Sequence, residues 1–417
     1  MKKIVLAIVI TSILFTNCTK ETCNRVTEVI EYNPVYEPMS SLRNVVVQAP
    51  KSITANGKIC TYGNFIFLNE VNKGFHIIDN TNPSNPQIVK YVKVPGNIDL
   101  IVKDNYLLAD NYVDLLTFDI TNPTNLQLVN RKENALPYRQ YNYGFYDDIT
   151  KGIITSFTKT FTTKSNVCNQ SNSWWERGNS GGVIFMASAT FDAGGGKSAN
   201  GSQTGSLSRF GLLNNYLYVA NRYSITPINI ANVLQPIVYQ AINIGEVETI
   251  YPYKNYLLLG SPTGLFIYNT IDPSMPKYQS MFTHARGCDP VVAYNDKAYV
   301  TVRGGGACGG ARNTLDVLDI SNPTVPISLK TYQMTNPYGV GIYNNKLGIC
   351  DGTAGFKLYD ATTSTNLQLN ATIANSKAFD VIMNNNIAIL IASDGLYQYN
   401  ITTSNNPVLL SKLPINP

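Results

Sequence analysis

The stretch DISNPTVP, residues Asp319 to Pro326, has relatives throughout the chain. They are GFHIIDNTNPSNPQIV, LLTFDITNPTNLQLV, SITPINIANVLQPIV, GLFIYNTIDPSMPKYQ, TLDVLDISNPTVPISL, GFKLYDATTSTNLQL and GLYQYNITTSNNPVLL, anchored at Asp79, Asp119, Asn229, Asn269, Asp319, Asp360 and Asn400. Successive anchors are 40, 110, 40, 50, 41 and 40 residues apart, a period near 40 broken by one large and one small insertion. In each unit an alternating apolar strand such as Leu265-Phe266-Ile267-Tyr268 leads into the anchor. A turn follows, then a short strand that starts at a Pro or Leu. Upstream lies a two-strand unit with a tight turn rich in Asn: KDNY (103–106), LNNY (213–216), YKNY (253–256) and YNNK (343–346). Asn and Asp tolerate left-handed backbone angles and therefore suit hairpins. Four short strands per unit, with no helical periodicity, predict an all-β fold, a β-propeller of four-stranded blades. One unit cannot bury both faces of its own sheet, so the blades must stack about an axis.

The anchor motif is expected to be structural. Asp or Asn can accept a hydrogen bond from the backbone two residues on, and Asn-Pro initiates turns. The later Pro opens the outermost strand, an edge where a missing donor is tolerated. Blade count rests on the 110-residue gap. YGFYDDITKGIITSF (143–157) reads as a hairpin and GGVIFMASATF (181–191) as a further strand, together a degenerate eighth blade. The segment lacks the D-x-x-N-P turn and is split by SNVCNQSNSWWERGNS, so the reading is seven blades with an inserted flap at about 139–205.

Residues HIIDNTNPSNP, LLTFDITNPTN and LDVLDISNPTVP resemble the LVIVD-repeat proteins, a β-propeller group among surface lipoproteins of Bacteroidetes-type bacteria. The resemblance implies a propeller over residues 46–417 and a surface location. It carries no catalytic residues over to this chain.

The N-terminus agrees with export. Lys2 and Lys3 precede an apolar run, Ile4 to Phe15, too short to span a membrane comfortably, and Cys18 follows. LFTNC resembles a bacterial lipobox, with Asn17 where a small residue is preferred and Phe15 where Leu is preferred. The expectation is a signal peptide over 1–17, lipidation at Cys18 and a tether over 18–45, placing the protein on the outer membrane, periplasmic or surface-exposed, and monomeric. A lipid anchor of this kind holds a protein on a membrane without spanning it. Charged residues make up only 14% of the chain, and the net charge of +5 is spread with no Lys/Arg run, which argues against nucleic-acid binding.

The repeat pattern also shows where the chain departs from it. In a propeller the a–b and c–d turns share one face, and the b–c loops and d–a connections share the other. The large insertion falls in a d–a connection, and RGGGACGGARN (303–313) falls in a b–c loop, so both emerge at the same channel mouth. Loops held by a rigid scaffold are where function usually sits. Starts of innermost strands carry Asp99, Arg209, Glu248, Asp289, Tyr338 and Asp380. Ends of the second strands carry Glu70, Asp110, Arg222, Arg303, Asp351 and Asp394. Strand ends reach water, so simple solvation of these charges is the competing reading.

THARGCDPVV (283–292) is the most site-like stretch. His284, Arg286 and Asp289 lead into the fifth blade and Arg303 follows from its b–c loop; Arg can grip a carboxylate with two parallel bonds and His can exchange a proton. The candidate ligand-binding set is His284, Arg286, Asp289, Arg303, Glu248, Tyr338, Asp99 and Asp380. Cys288 and Cys308 flank neighbouring strands, and in an exported chain they form the candidate disulfide that pins the Gly-rich loop. Those glycines are no phosphate loop, because no helix follows and no GK[ST] is present. Cys60 and Cys350 read as small buried residues. With His only at 76 and 284, and no C-x-x-C or H-x-x-x-H, no metal or other cofactor is expected, and His76 reads as structural. Trp174 and Trp175 either stack on a sugar or pack the flap. The leading expectation is a non-enzymatic binding module for a glycan, a peptide or an envelope protein. The alternative is a carbohydrate-active enzyme, a lyase or glycoside hydrolase, at the same face. A purely structural envelope component is the third.

Overall fold

In the computed structural model, which describes residues 24–139, 141, 145–148, 150–167, 203–204, 208–284, 287, 290–305, 309–374 and 377–416, the 40-residue units fold into seven four-stranded blades of a β-propeller. The described residues fall into two compact units. In the smaller one, β1 (Asn24–Glu37) pairs with β11 (Ile153–Val167) as a two-stranded ribbon, with Asn33 Nδ2 donating to Thr160 Oγ1 at 3.2 Å. Residues 24–37 lie in the stretch expected to be a tether, and 153–157 in the expected local hairpin. Each finds its strand partner in the other.

The propeller follows the repeat. Blade one is β3 (Ile59–Tyr62), β4 (Phe65–Glu70), β5 (Gly74–Asp79) and β6 (Gln87–Lys93). Blade two is β7 (Leu100–Lys103), β8 (Tyr106–Asn111), β9 (Asp114–Asp119) and β10 (Gln127–Lys132). Blade three is β13 (Phe210–Leu213), β14 (Tyr216–Asn221) and β15 (Ser224–Asn229), with an outer strand broken into β16 (Ile237–Val238) and β17 (Ile242–Asn243). Blade four runs β18 (Thr249–Tyr253) to β21 (Lys277–Thr283), and blade five β22 (Val291–Tyr294) to β25 (Ile327–Gln333). Blade six runs β26 (Val340–Tyr343) to β29 (Gln368–Ile373), and blade seven β30 (Ala378–Asn384) to β33 (Val408–Pro414). All pairings within the blades are antiparallel.

Second and third strands such as FIFL or IAILIA are apolar on both sides, because each blade is covered by a neighbour on each face. Phe67, Phe75 and Ile77 of blade one pack with Leu100, Leu107 and Phe118 of blade two. Their alternates Ile66, Leu68 and Ile78 pack instead with Ile389, Ile391 and Leu396 of blade seven. Period-two alternation therefore sorts side chains between two neighbours rather than between core and water.

The ring closes through that last cluster. Each blade is built from consecutive strands, so no strand is exchanged between first and last. Closure instead uses residues 49–57: Ile53 bridges Ile415 in parallel, and Asn416 N donates to Ile53 O at 2.8 Å. Farther out, Gln398 and Asn80 exchange amide bonds at 2.6 and 2.9 Å, and Ser411 Oγ donates to Pro83 O at 2.6 Å. Blade one carries two additional strands: β2 (Val46–Gln48) outside β6, and β12 (Gln203–Thr204) on the channel side of β3.

The anchor residues behave as the motif predicts. Six of the seven accept a bond from the amide two residues on: Asp79, Asp119, Asn229, Asp319, Asp360 and Asn400, at 2.8 to 2.9 Å. Asn269 is the exception, giving its Nδ2 to Gln279 Oε1 at 2.9 Å. In all seven blades the amide after the anchor donates to the carbonyl of the last residue in the same blade's a–b turn, from Asn80 N to Asn64 O through Ile401 N to Asn386 O. The first central residue of every a–b turn is left-handed: Gly63, Asp104, Asn214, Lys254, Asn295, Asn344 and Asn385. Tyrosines at the ends of innermost strands tie neighbouring blades on this face. Tyr62 donates to Asn105 Oδ1, and Tyr253 accepts from Asp296 N at 2.9 Å.

Candidate functional site

The charges at the other mouth divide into buried and solvent-reaching groups. Glu70, Asp110 and Asp351, all fully or almost fully buried, perform one repeated task. Each sits at the end of its blade's second strand and accepts main-chain amides from the connection entering its own first strand. Glu70 takes the amides of Thr54 and Ala55, Asp110 those of Ile98 and Asp99, and Asp351 those of Thr335 and Asn336. A connection without regular structure leaves its amides unpaired, and a carboxylate accepts several at once. Cations complete each site: Lys51 lies 2.9 Å from Glu70, Arg139 3.2 Å from Asp110 and Lys357 2.6 Å from Asp351. His76 Nε2, also buried, is 3.3 Å from Glu70 Oε1. Burial by itself would raise the Glu70 pKa, but the bonds from His76, Lys51 and Thr54 outweigh it and hold the carboxyl well below the usual range.

Asp99 of blade two is likewise internal. Its Oδ2 accepts from Ser208 Oγ at 2.8 Å and from the amides of Arg209 and Phe210 in blade three, while Lys58 of blade one approaches to 3.6 Å. One carboxylate thus ties three blades. Arg209, packed into this network, donates its Nε to Ala220 O at 3.1 Å, and burial lowers its pKa. Asp380 is buried, its Oδ1 accepting from Val381 N at 2.9 Å; a Cβ on Gly339 would fall 2.5 Å from that oxygen. Asp99 is therefore a structural group, and Asp380 is buried rather than a solvated strand end.

The remaining described candidates lie on blades four to six and are half-buried: Glu248, His284, Arg303 and Tyr338. The amide of Glu248 donates to Gly260 O at 2.9 Å, and that of His284 to Thr263 O at 3.2 Å. Gly287 lies so close to blade five that a Cβ there would meet Val302 Cγ1 at 2.6 Å, which seats the His284 connection beside Arg303. The Arg303 guanidinium stands over the Tyr338 ring at 4.1 Å. Tyr338 in turn meets Phe379 edge-on at 5.7 Å and takes a bond from Asn336 Nδ2 to its hydroxyl at 3.2 Å. Arg303, Tyr338 and Phe379 thus join blades five, six and seven. RGGGACGGARN, expected to be a loop, continues the ladder: β23 (Lys297–Gly305) pairs with β24 (Gly309–Asp319) as far as Gly305 and Gly309, extending this hairpin beyond those of other blades.

Arg286, Asp289, Cys288 and Cys308 lie outside the described residues, as do Cys18, Cys23, Cys168, Trp174, Trp175 and the 181–191 stretch. Cys60 and Cys350 are buried, as is His76. Among the described residues no group of three His, Cys, Asp or Glu side chains could hold a metal ion. The sequence reading missed Arg139, which no repeat marks, and Lys58, which the register could have found because it occupies the position of Asp99 in blade one.

The fold and its turn chemistry define a seven-bladed β-propeller. Residues 56–94, 97–132 and 296–334 match the LVIVD repeat, covering blades one and two and most of blade five. No curated protein matches the sequence. Among solved structures, the periplasmic gluconolactonase PpgL of Pseudomonas aeruginosa is similar at TM-score 0.54 and 11% identity, over 87% of this chain and 98% of that one. The computationally designed Ika8 protein is similar at TM-score 0.51 and 11% identity, over 88% of each chain. Saccharomyces cerevisiae Sqt1 is similar at TM-score 0.50 and 8% identity, over 90% of this chain and 87% of that one. At such identities the likeness is one of fold.

Proposed function

We propose that this protein is an exported, lipid-anchored propeller that binds a glycan, a peptide or an envelope protein through the mouth face of blades four to six, without catalysis. The observation that carries this reading is the division of the mouth charges into buried and half-exposed groups. Glu70, Asp99, Asp110 and Asp351 are buried and hold main-chain amides, so they do not face a ligand. Arg303, by contrast, stands half-exposed over Tyr338 at 4.1 Å on the extended hairpin. A guanidinium backed by an aromatic ring suits recognition of a carboxylate or of sugar hydroxyls. A glycosidase would need two carboxylates facing each other across an open pocket. Of the described carboxylates in the strand-end ring, Glu248 is half-exposed on blade four and Asp394 is exposed on blade seven, paired with Lys412 at 2.6 Å.

Export and anchoring rest on Lys2, Lys3, the Ile4–Phe15 run and Cys18. The test is a thermal-shift screen of glycans and peptides against wild type, Arg303→Ala and Tyr338→Leu. A ligand whose shift both variants abolish supports the reading. Shifts unchanged in both variants remove blades five and six from it.

A further inference from the structure

The large insertion begins by tying itself to blades one and two, and it does so through one arginine. The Arg139 guanidinium enters a buried socket. Nη1 donates to Asn72 Oδ1 at 2.9 Å, Nη2 donates to Gly96 O and to Asp110 Oδ2 at 3.2 Å, and the Tyr112 ring lies beneath at 4.7 Å. Asn72 comes from the b–c turn of blade one, and Gly96, Asp110 and Tyr112 come from blade two. The walls are therefore pieces of the propeller, assembled without the insertion. The insertion brings the arginine and fixes its backbone: Arg139 N donates to Asp147 Oδ2 at 3.1 Å, Asp147 N returns a bond to Arg139 O at 3.0 Å, and Tyr141 donates to Asp147 Oδ1 at 3.1 Å. On either side, Leu136 N donates to Val113 O and Asn221 Nδ2 of blade three to Tyr138 O.

We propose that this is a guanidinium-binding site of the propeller which the protein's own Arg139 occupies in cis, and that an arginine side chain of a peptide fits the same socket when Arg139 is absent. Two observations set it apart from an ordinary buried ion pair. The socket offers a carboxylate, a carbonyl and an amide oxygen spread over two guanidinium nitrogens, with an aromatic face beneath, a layout that a planar fork spans and that the single nitrogen of an ammonium does not. The fit is also incomplete, since Arg139 Nε is buried with no hydrogen-bond partner among the described residues. Fixed by the backbone of the insertion, the side chain satisfies the propeller's acceptors at the expense of one of its own donors. The surrounding charges balance only while it is present: Asp99, Asp110 and Asp147 against Lys58, Arg139 and Arg209. Removing Arg139 leaves a buried anionic cavity, to which a cation of the right shape is drawn.

The experiment is chemical rescue. In Arg139→Ala, amide hydrogen exchange across 133–153 should rise at least tenfold and the melting temperature should fall. Low-millimolar guanidinium chloride, or N-acetylarginine amide, should restore both saturably. Sodium chloride and N-acetyllysine amide should not, and wild type should respond to none of them. Should Arg139→Ala fail to fold, Arg139→Gln, which keeps the length but not the charge or the fork, is judged by the same criteria. Absence of rescue, or equal rescue in the double variant Arg139→Ala/Asp110→Asn, overturns the proposal. Rescue by guanidinium but not by the arginine amide limits the site to the small ion and overturns the peptide part.

Discussion

Replacing Glu70 by Gln tests how the ring is closed. The carboxylate is fully buried and serves Thr54 N, Thr54 Oγ1 at 2.8 Å, Ala55 N at 3.2 Å and Lys51 Nζ at 2.9 Å. Those donors all belong to the 49–57 strap, whose Ile53 completes the apolar cluster between blades one and seven. Glutamine has nearly the same shape, but it presents one acceptor oxygen and turns a donor toward donors. One buried amide or the lysine then loses its partner, at about 1–3 kcal/mol, and the loss of a buried charge pair brings the total to about 3 kcal/mol. At about 1.4 kcal/mol per factor of ten, exchange at Thr54 and Ala55 should accelerate by about two orders of magnitude, while β18 to β21 in blade four stay protected. The effect has a pH signature. The folded-state pKa of Glu70 is depressed, so its stabilisation is fully present above the unfolded carboxylate pKa of about 4.3 and fades as pH falls toward the folded value. Wild type and Glu70→Gln should therefore differ most near neutral pH, and the difference should begin to shrink only below about pH 4 and continue shrinking toward the folded-state value. Unchanged exchange in the strap, or acceleration spread evenly over all blades, would refute the strap's role in closure.

Three further outcomes are expected. Gly74→Ala should destabilise blade one: φ is +136°, a Cβ would fall 2.0 Å from Val92 O, and the backbone strain by itself costs about 1–3 kcal/mol by chemical denaturation. Asp319→Ala should lower stability by about 1 kcal/mol for its lost turn bond, and Asn269→Ala by less, because Asn269 makes no such bond in the turn; equal losses would show that the bond contributes nothing. Arg303→Ala should leave the melting temperature within a degree or so of wild type, because a single half-exposed cation–π contact is worth about 0.5–1 kcal/mol, and a larger fall would make Arg303 a structural residue.

The seven anchors, the four Asn-rich turns and the apolar strands were legible because they are local. An Asx turn or a left-handed Asp104 depends on two or three consecutive residues, and a 40-residue period repeats that choice until it stands out. The blade count followed from the same local chemistry, since 143–157 lacks the turn.

The character of the charges was not legible. Asp99 and Glu248 both look like acidic starts of innermost strands in the sequence, yet one is buried on amides from another blade and the other is half-exposed. Their a–b hairpins align Asp99 with Thr249 and leave Glu248 one residue earlier, and a one-residue offset turns a strand side chain to the other face. Arg139 is the extreme case: nothing near it in sequence signals Asn72, Gly96 or Asp110, because its socket is assembled from two blades and filled from an insertion. The repeated local pattern by itself determined the blades, their number and their turns. Tertiary structure alone decided which strand-end charges became internal latches and which remained open to solvent, because burial and partner choice depend on chain segments far apart in sequence.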